Sequence, residues 1–198
     1  MFSIQSARRL FNITGAITRT LPHAWAITVA LLCGCLAAAP PVFAADTQSE
    51  RSSDRHIREL DNLSALWSLY KQTFIVNGRV VSWDEQGVTT SEGQGYAMLR
   101  AVWSGDRLMF DRVWAWTKEH LQVRDDKLFA WKWKEKVLSM NAATDADTDI
   151  ALALILAARR FDQPVYEREA LAILTSIWDL ELLHTDSHIY VTAGNWAL

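Results

Sequence analysis

The stretch from Thr144 to Trp178 constrains the fold of this chain more than any other. It reads "TDADTDIALALILAARRFDQPVYEREALAILTSIW", two apolar segments with helical spacing parted by Asp162-Gln163-Pro164. Proline cannot continue the first segment as a helix, but its fixed φ suits the first turn of a second one. Helices are therefore predicted over about 144–160 and 165–178. Upstream, Leu60, Leu63, Leu66, Trp67 and Tyr70 recur at intervals of three and four from about Ile57. A further helix over about 106–121 would put Leu108, Val113, Trp114, Thr117 and Leu121 on one face, and another should start near Ser91 and run through "GYAMLRAVWSG". Between them, Asn77-Gly78 marks a turn with short extended pieces on either side, "RDDKLFAWKWKEK" reads as extended and "HIYVTAG" as a strand. βαβ alternation, a glycine-rich phosphate loop and heptads are all missing. Helix pairs with short extended connections are what remains.

Residues 1–44 stand apart. They hold Arg8, Arg9 and Arg19, no acidic residue, the apolar run "AWAITVALLCGCLAAA" and then "PPVFA". That is the layout of a signal peptide cleaved after Ala44, and the run falls short of the roughly 20 residues of a spanning helix. An uncleaved anchor is the competing reading, and a lipid attachment at Cys35 a weaker one, because Cys33 sits where a small or branched residue is usual. Both cysteines fall in this segment, so the exported chain would have neither disulfide nor thiol nucleophile. Its removal moves the formal net charge from −3 to −6, with no Lys/Arg block, which argues against nucleic acid as a partner. Residues 45–56, "ADTQSERSSDRH", read as a flexible lead-in.

The three alternating aspartates of "ATDADTDIALAL" admit three uses. As a calcium loop counted from Asp145 they fail, because Ile150 stands where the glycine turn is needed and Leu156 where the bidentate acid is needed. As a helix start, Thr144 with Asp147 three residues on resembles a capping box, which accounts for Asp147. If the helix has begun by Asp145, then Asp145 and Asp149 share a face and repel, while Asp147 points elsewhere. Tolerated repulsion suggests use, although Asp149 has no assigned task. A second motif, "TTSEGQGYAM" over residues 89–98, puts Glu92 three residues after Thr89, so Glu92 is either a capping partner or a general acid. Gly93 and Gly95 weaken that helix start by about 1 kcal/mol each and open room for a ligand, with Gln94 and Tyr96 as hydroxyl-recognising neighbours. Walls formed by Tyr96 and tryptophans would leave the carboxyl poorly solvated, which favours the protonated form. "HTDSH", with His184, Asp186 and His188 alternating, could face a metal from one side of a strand, but no fourth ligand is visible and a polar turn explains it as well. Of the ten tryptophans, nine lie beyond the expected signal segment, and most of these nine are expected to fill core.

Together these motifs resemble glycoside hydrolase family 8, the secreted endoglucanases, chitosanases and related enzymes. "ATDADTDIALALILAARRF" matches the family signature along its length, "SEGQGYAM" is similar to the proton-donor segment, and "FAWKW" lies between them in the family's order. The resemblance runs over residues 57–198 and implies an all-α fold, an (α/α)6 barrel of the six-hairpin type, of which about half is expected here. It implies that Glu92 is the general acid and that Asp145 contacts the sugar at the cleavage subsite. Trp131 would stack a sugar ring, with Trp133, Gln94 and Tyr96 as further substrate contacts. An inverting reaction on internal β-1,4 bonds of a glucan-type polysaccharide follows, with two carboxyls roughly 6.5–9.5 Å apart and no metal or cofactor. The partner is the polysaccharide, the location secreted or periplasmic in a bacterium. In most members the general base lies beyond residue 198, so the chain reads as an N-terminal portion. It is either the first part of an active glycosidase or a non-catalytic remnant that at most binds glycan.

Overall fold

The computed structural model describes residues 43–197, so the expected signal segment lies, but for its last two residues, outside the described part. Helix α1 (Phe43–Phe74) comes first and takes in residues 45–56, where the sequence reads as a lead-in. Residues 51–66 of it are exposed throughout. Among the residues of α1 whose burial is described, contact with the rest of the fold begins at Trp67. Trp67 is buried, its indole N–H donates to Asp106 at 3.0 Å, and the Lys71 ammonium reaches the same carboxylate at 2.7 Å. Burial first raises the proton affinity of Asp106, but the hydrogen bonds from Lys71, the Met109 amide and Trp67 outweigh it, and its pKa ends below the ordinary carboxylate value. The apolar repeat of α1 is thus only half used: Trp67 and Tyr70 meet the core, while Leu60, Leu63 and Leu66 each remain more than half exposed.

Strands β1 (Ile75–Val76) and β2 (Arg79–Val80) form an antiparallel hairpin about the expected turn. Asn77 and Gly78 both take left-handed φ values, 53° and 87°. Gly78 is irreplaceable on space as well, since a Cβ there would stand 2.3 Å from the Arg112 carbonyl oxygen. β3 (Thr89–Thr90) then leads straight into α2 (Ser91–Trp103), followed by α3 (Arg107–His120). The connection to the next pair holds β4 (Lys132–Lys134) and β5 (Lys136–Ser139), which complete a three-stranded sheet in the order β3-β4-β5. α4 (Thr144–Arg160) and α5 (Pro164–Leu180) occupy the two apolar segments, with Pro164 in the first turn of α5. β6 (Leu182–His184) and β7 (Ile189–Val191) form a closing hairpin, and a short 3-10 turn follows at Asn195–Ala197.

α2 packs along α4, α3 packs on α2 and α5 packs on α4. Small side chains, Ala97 and Ala101 on α2 and Ala146 and Ala153 on α4, are fully buried among Met98, Ile150 and Leu154. α3 and α5 are tied by polar groups: the Trp114 indole N–H donates to Glu169 at 2.7 Å, and the Tyr166 hydroxyl donates to Asp111. On α3, Phe110 is buried and Leu108, expected on the inner face, is 63 % exposed. The helix starts at Arg107, and the buried set Phe110, Val113, Trp114 and Thr117 defines a face that Leu108 misses. Among the described residues, no helix is long and apolar enough to cross a membrane.

Candidate active site

Two helix beginnings define the site. At the first, Thr90 caps α2, its hydroxyl oxygen accepting from the Gly93 amide at 3.1 Å. The capping expected of Thr89 therefore falls to its neighbour. Thr89 is buried, donating to the Val80 carbonyl at 2.6 Å and accepting from the Arg79 Nε at 2.7 Å. Glu92 is left without a capping duty. It projects from the first turn of α2, exposed, and its carboxylate accepts the Tyr96 hydroxyl at 2.8 Å, one turn along the same face. The enclosure expected around Glu92 is not found among the described residues, because Tyr96 is itself half exposed.

α4 begins beside it. Gly95 in the second turn of α2 lies against α4, where a Cβ would stand 3.3 Å from the Asp149 Cβ and 3.6 Å from the Ala146 carbonyl oxygen. Its lack of a side chain allows the two helices to approach with their N-terminal ends side by side. The residue expected to make room for a ligand makes room for a helix. Asp145 is exposed, one carboxylate oxygen accepting from the Ala146 amide at 2.8 Å. Asp149 is half-buried one turn on. Its carboxyl is pushed up from the usual range, first by burial and then by the negative charges of Asp145 and Glu92. The Tyr96 phenol is raised too, first by its bond to Glu92, then by the charge of Glu92, with burial, Asp149 and Asp145 adding to it. Glu92, Tyr96, Asp145 and Asp149 thus lie in one electrostatic neighbourhood. An open groove of about 530 Å³ continues from it, with Tyr70, Tyr96, Arg100, Trp103, Asp149 and Leu152 among its lining residues.

Asp147, between the two exposed aspartates, is turned the other way. The cap position of α4 is Ala143, with no side-chain cap, and Thr144 already belongs to the first turn. Asp147 does not cap: it is fully buried and accepts the Phe129 amide at 3.1 Å, pinning the 124–131 loop to α4. Gln94 must likewise be withdrawn as a substrate contact. It is fully buried, accepts from the Val80 amide at 2.6 Å, and donates to the Gly78 carbonyl at 3.1 Å and the Thr117 hydroxyl at 2.7 Å, so nothing of it faces a ligand.

The two tryptophans of "FAWKW" part company. Trp131 is partly exposed, and its carbonyl accepts the Ser91 amide at 3.0 Å, which holds it next to the residue preceding Glu92. The Lys132 ammonium lies 5.1 Å from its ring centre. β4 pairs with β5 through a register shift whose extra residue, Leu138, lies on β5. Trp133 packs edge-on against Trp116 and His120 of α3, at 5.2 and 5.6 Å between centroids, with the Arg79 guanidinium 4.5 Å over its face. Its ring is occupied, and it does not join Glu92. His184 and His188 bracket the turn of the β6–β7 hairpin, where His184 contacts the Trp178 carbonyl and His188 the Ser187 hydroxyl. Asp149 is the site residue the sequence left without a task; its i, i+4 relation to Asp145 was the available signal.

With this geometry in place, comparison with known proteins is informative. The sequence model of Glycosyl hydrolases family 8 matches residues 56–196. The chain is 35 % identical over 139 residues to a probable endoglucanase of Novacetimonas hansenii, covering 68 % of this chain and 41 % of that protein. It is 36 % identical over 122 residues to an endoglucanase of Pseudomonas fluorescens, covering 57 % of this chain and 31 % of that protein. Among solved structures, the endo-β-1,4-glucanase CMCax of Acetobacter xylinum superimposes with a TM-score of 0.64 at 35 % identity, covering 69 % of this chain and 44 % of that one. A family 8 endo-β-1,4-glucanase from an Achatina fulica gut metagenomic library gives 0.63 at 34 %, covering 65 % and 42 %. The described helices match (α/α)6 barrels over part of their length. The chain spans about two-fifths of the length of the first of these curated relatives.

Proposed function

This chain belongs to glycosyl hydrolase family 8, and on that premise we propose that it supplies the proton-donor side of a secreted or periplasmic bacterial β-1,4-glucanase. The observation that carries this is the meeting of Glu92 with Asp145 and Asp149 at the adjoining N-terminal ends of α2 and α4. Glu92 has no structural duty beyond the bond from Tyr96, which fixes its direction. It donates a proton to the glycosidic oxygen as that bond breaks. Asp145 takes hydroxyls of the sugar at the cleavage point, and Trp131 offers a ring face to a neighbouring sugar. Asp149, its carboxyl raised first by burial and then by the charges of Asp145 and Glu92, is the member of the group that most favours the protonated form.

The same reading assigns the reaction as inverting, with a second carboxylate activating water on the opposite sugar face. Asp147 cannot be that base, because it is buried on the far side of α4. The base is assigned to the length of the relatives that this chain does not span. The competing reading is a chain that only holds glycan. The test is reducing-end release from soluble β-1,4-glucan, xylan and chitosan, by the 198-residue chain and by a version extended to the relatives' length. Release from the glucan by the extended protein is expected. Binding without release by both proteins would establish the second reading, and neither binding nor release would overturn both.

A further inference from the structure

The first turn of α4 conceals a second acidic pair that the proposed chemistry does not use. Asp147 and Glu181 are both fully inaccessible, yet Asp147 Oδ2 and both carboxyl oxygens of Glu181 have no hydrogen-bond donor, and neither has the buried Thr144 hydroxyl a partner. Two ionised carboxylates cannot be left so, since each unpaired buried charge costs several kcal/mol. The groups facing them come from three further elements. From the 124–131 loop come Arg124, Asp126 and the Phe129 amide; from the end of α5 comes Glu181 itself; from the stretch after β7 comes Thr192, whose amide and hydroxyl both donate to the Glu181 carbonyl, at 3.0 and 2.8 Å. Arg124 is the cation among these, and its guanidinium is already engaged by Asp126 through Nε at 2.9 Å and through a second nitrogen. It offers charge at a distance but no hydrogen bond to either acid.

We propose that Asp147 and Glu181 share a single proton in the folded chain, and that this acid-to-carboxylate bond fastens the start of α4, and with it Asp145, to the end of α5. The proton makes Asp147 Oδ2 a donor, and Glu181 supplies the acceptor it lacks. Burial, followed by the neighbouring Glu181, pushes the Asp147 carboxyl up to about 9, and burial raises Glu181 as well. The surroundings are what such a clamp would hold in place. The Thr144 amide donates to the Ala193 carbonyl and the Ala142 amide donates to Asn195 Oδ1 at 2.8 Å, so α4, α5 and the closing hairpin converge on the turn that presents Asp145.

The sign of the pH effect follows from linkage. The folded chain holds a proton that the unfolded chain releases near pH 3.9, so stability declines as pH rises from there and levels off above the folded value of about 9. Thermal and urea unfolding of the 198-residue chain from pH 5 to 10 tests this without reference to hydrolysis. The unfolding constant of the wild type should rise by up to about tenfold per pH unit relative to Asp147→Asn, whose amide donates the same bond without titrating. Equal slopes in the two proteins would overturn the shared proton. Should Asp147→Asn not fold, Glu181→Gln gives the same comparison. Slopes abolished by added sodium or calcium ions would overturn it too, by showing a bound cation in the proton's place. Amide hydrogen exchange over residues 144–149 reads the fastening. Asp147→Ala should raise it at least tenfold and Asp147→Asn should restore it, and unchanged exchange in Asp147→Ala would overturn the positioning role.

Discussion

The opposite sides of one helix turn make an instructive contrast. Asp145 and Asp149 leave α4 toward an exposed seam shared with Glu92 and Tyr96, whereas Asp147, two residues from each, is fully buried against Phe129 and Glu181. All three share a residue type and a spacing of two. Their difference arises from the 3.6-residue turn, which sends i and i+4 one way and i+2 nearly opposite. On the open side carboxylates are available for a substrate. On the closed side a carboxyl is tolerated only by finding a proton and an acceptor. Chemistry and support are therefore separated within five residues.

Substitutions can break that separation. The largest effect on stability is expected from Asp147→Ala, which strips the Phe129 amide of its acceptor and strands Glu181; urea unfolding should show a loss of about 4 kcal/mol. Gln94→Ala comes next, at about 3 kcal/mol by the same method, since it leaves the Val80 amide and the Gly78 carbonyl buried without partners. Asp145→Ala, on the open side, should change stability by less than about 0.5 kcal/mol. A loss for Asp145→Ala comparable to that for Asp147→Ala would erase the distinction between the two sides.

The helices over Thr144–Arg160 and Pro164–Leu180 and the Asn77-Gly78 hairpin were legible in the sequence, because periodicity and the chain-breaking residues between segments are local. So was the sharing of a face by Asp145 and Asp149. Partners distant in sequence were not. Gln94 looks like a ligand residue until the hairpin and α3 close around it, and Asp147 looks like a cap until Phe129 and Glu181 arrive. Trp133, named with Trp131 by the family resemblance, is taken up by Trp116, His120 and Arg79, partners distant in sequence. The apolar repeat of α1 extends well beyond what it buries here, since periodicity reports a face without saying what covers it.

The central claim is that Glu92 is exposed for chemistry and not for folding. Its most direct test is Glu92→Gln in the protein extended to the relatives' length, with hydrolysis of soluble β-1,4-glucan and urea unfolding measured on the same preparation. The expected result is a hydrolysis rate lower by about a thousandfold with the unfolding midpoint unchanged. Hydrolysis at the wild-type rate by a folded Glu92→Gln protein would contradict it.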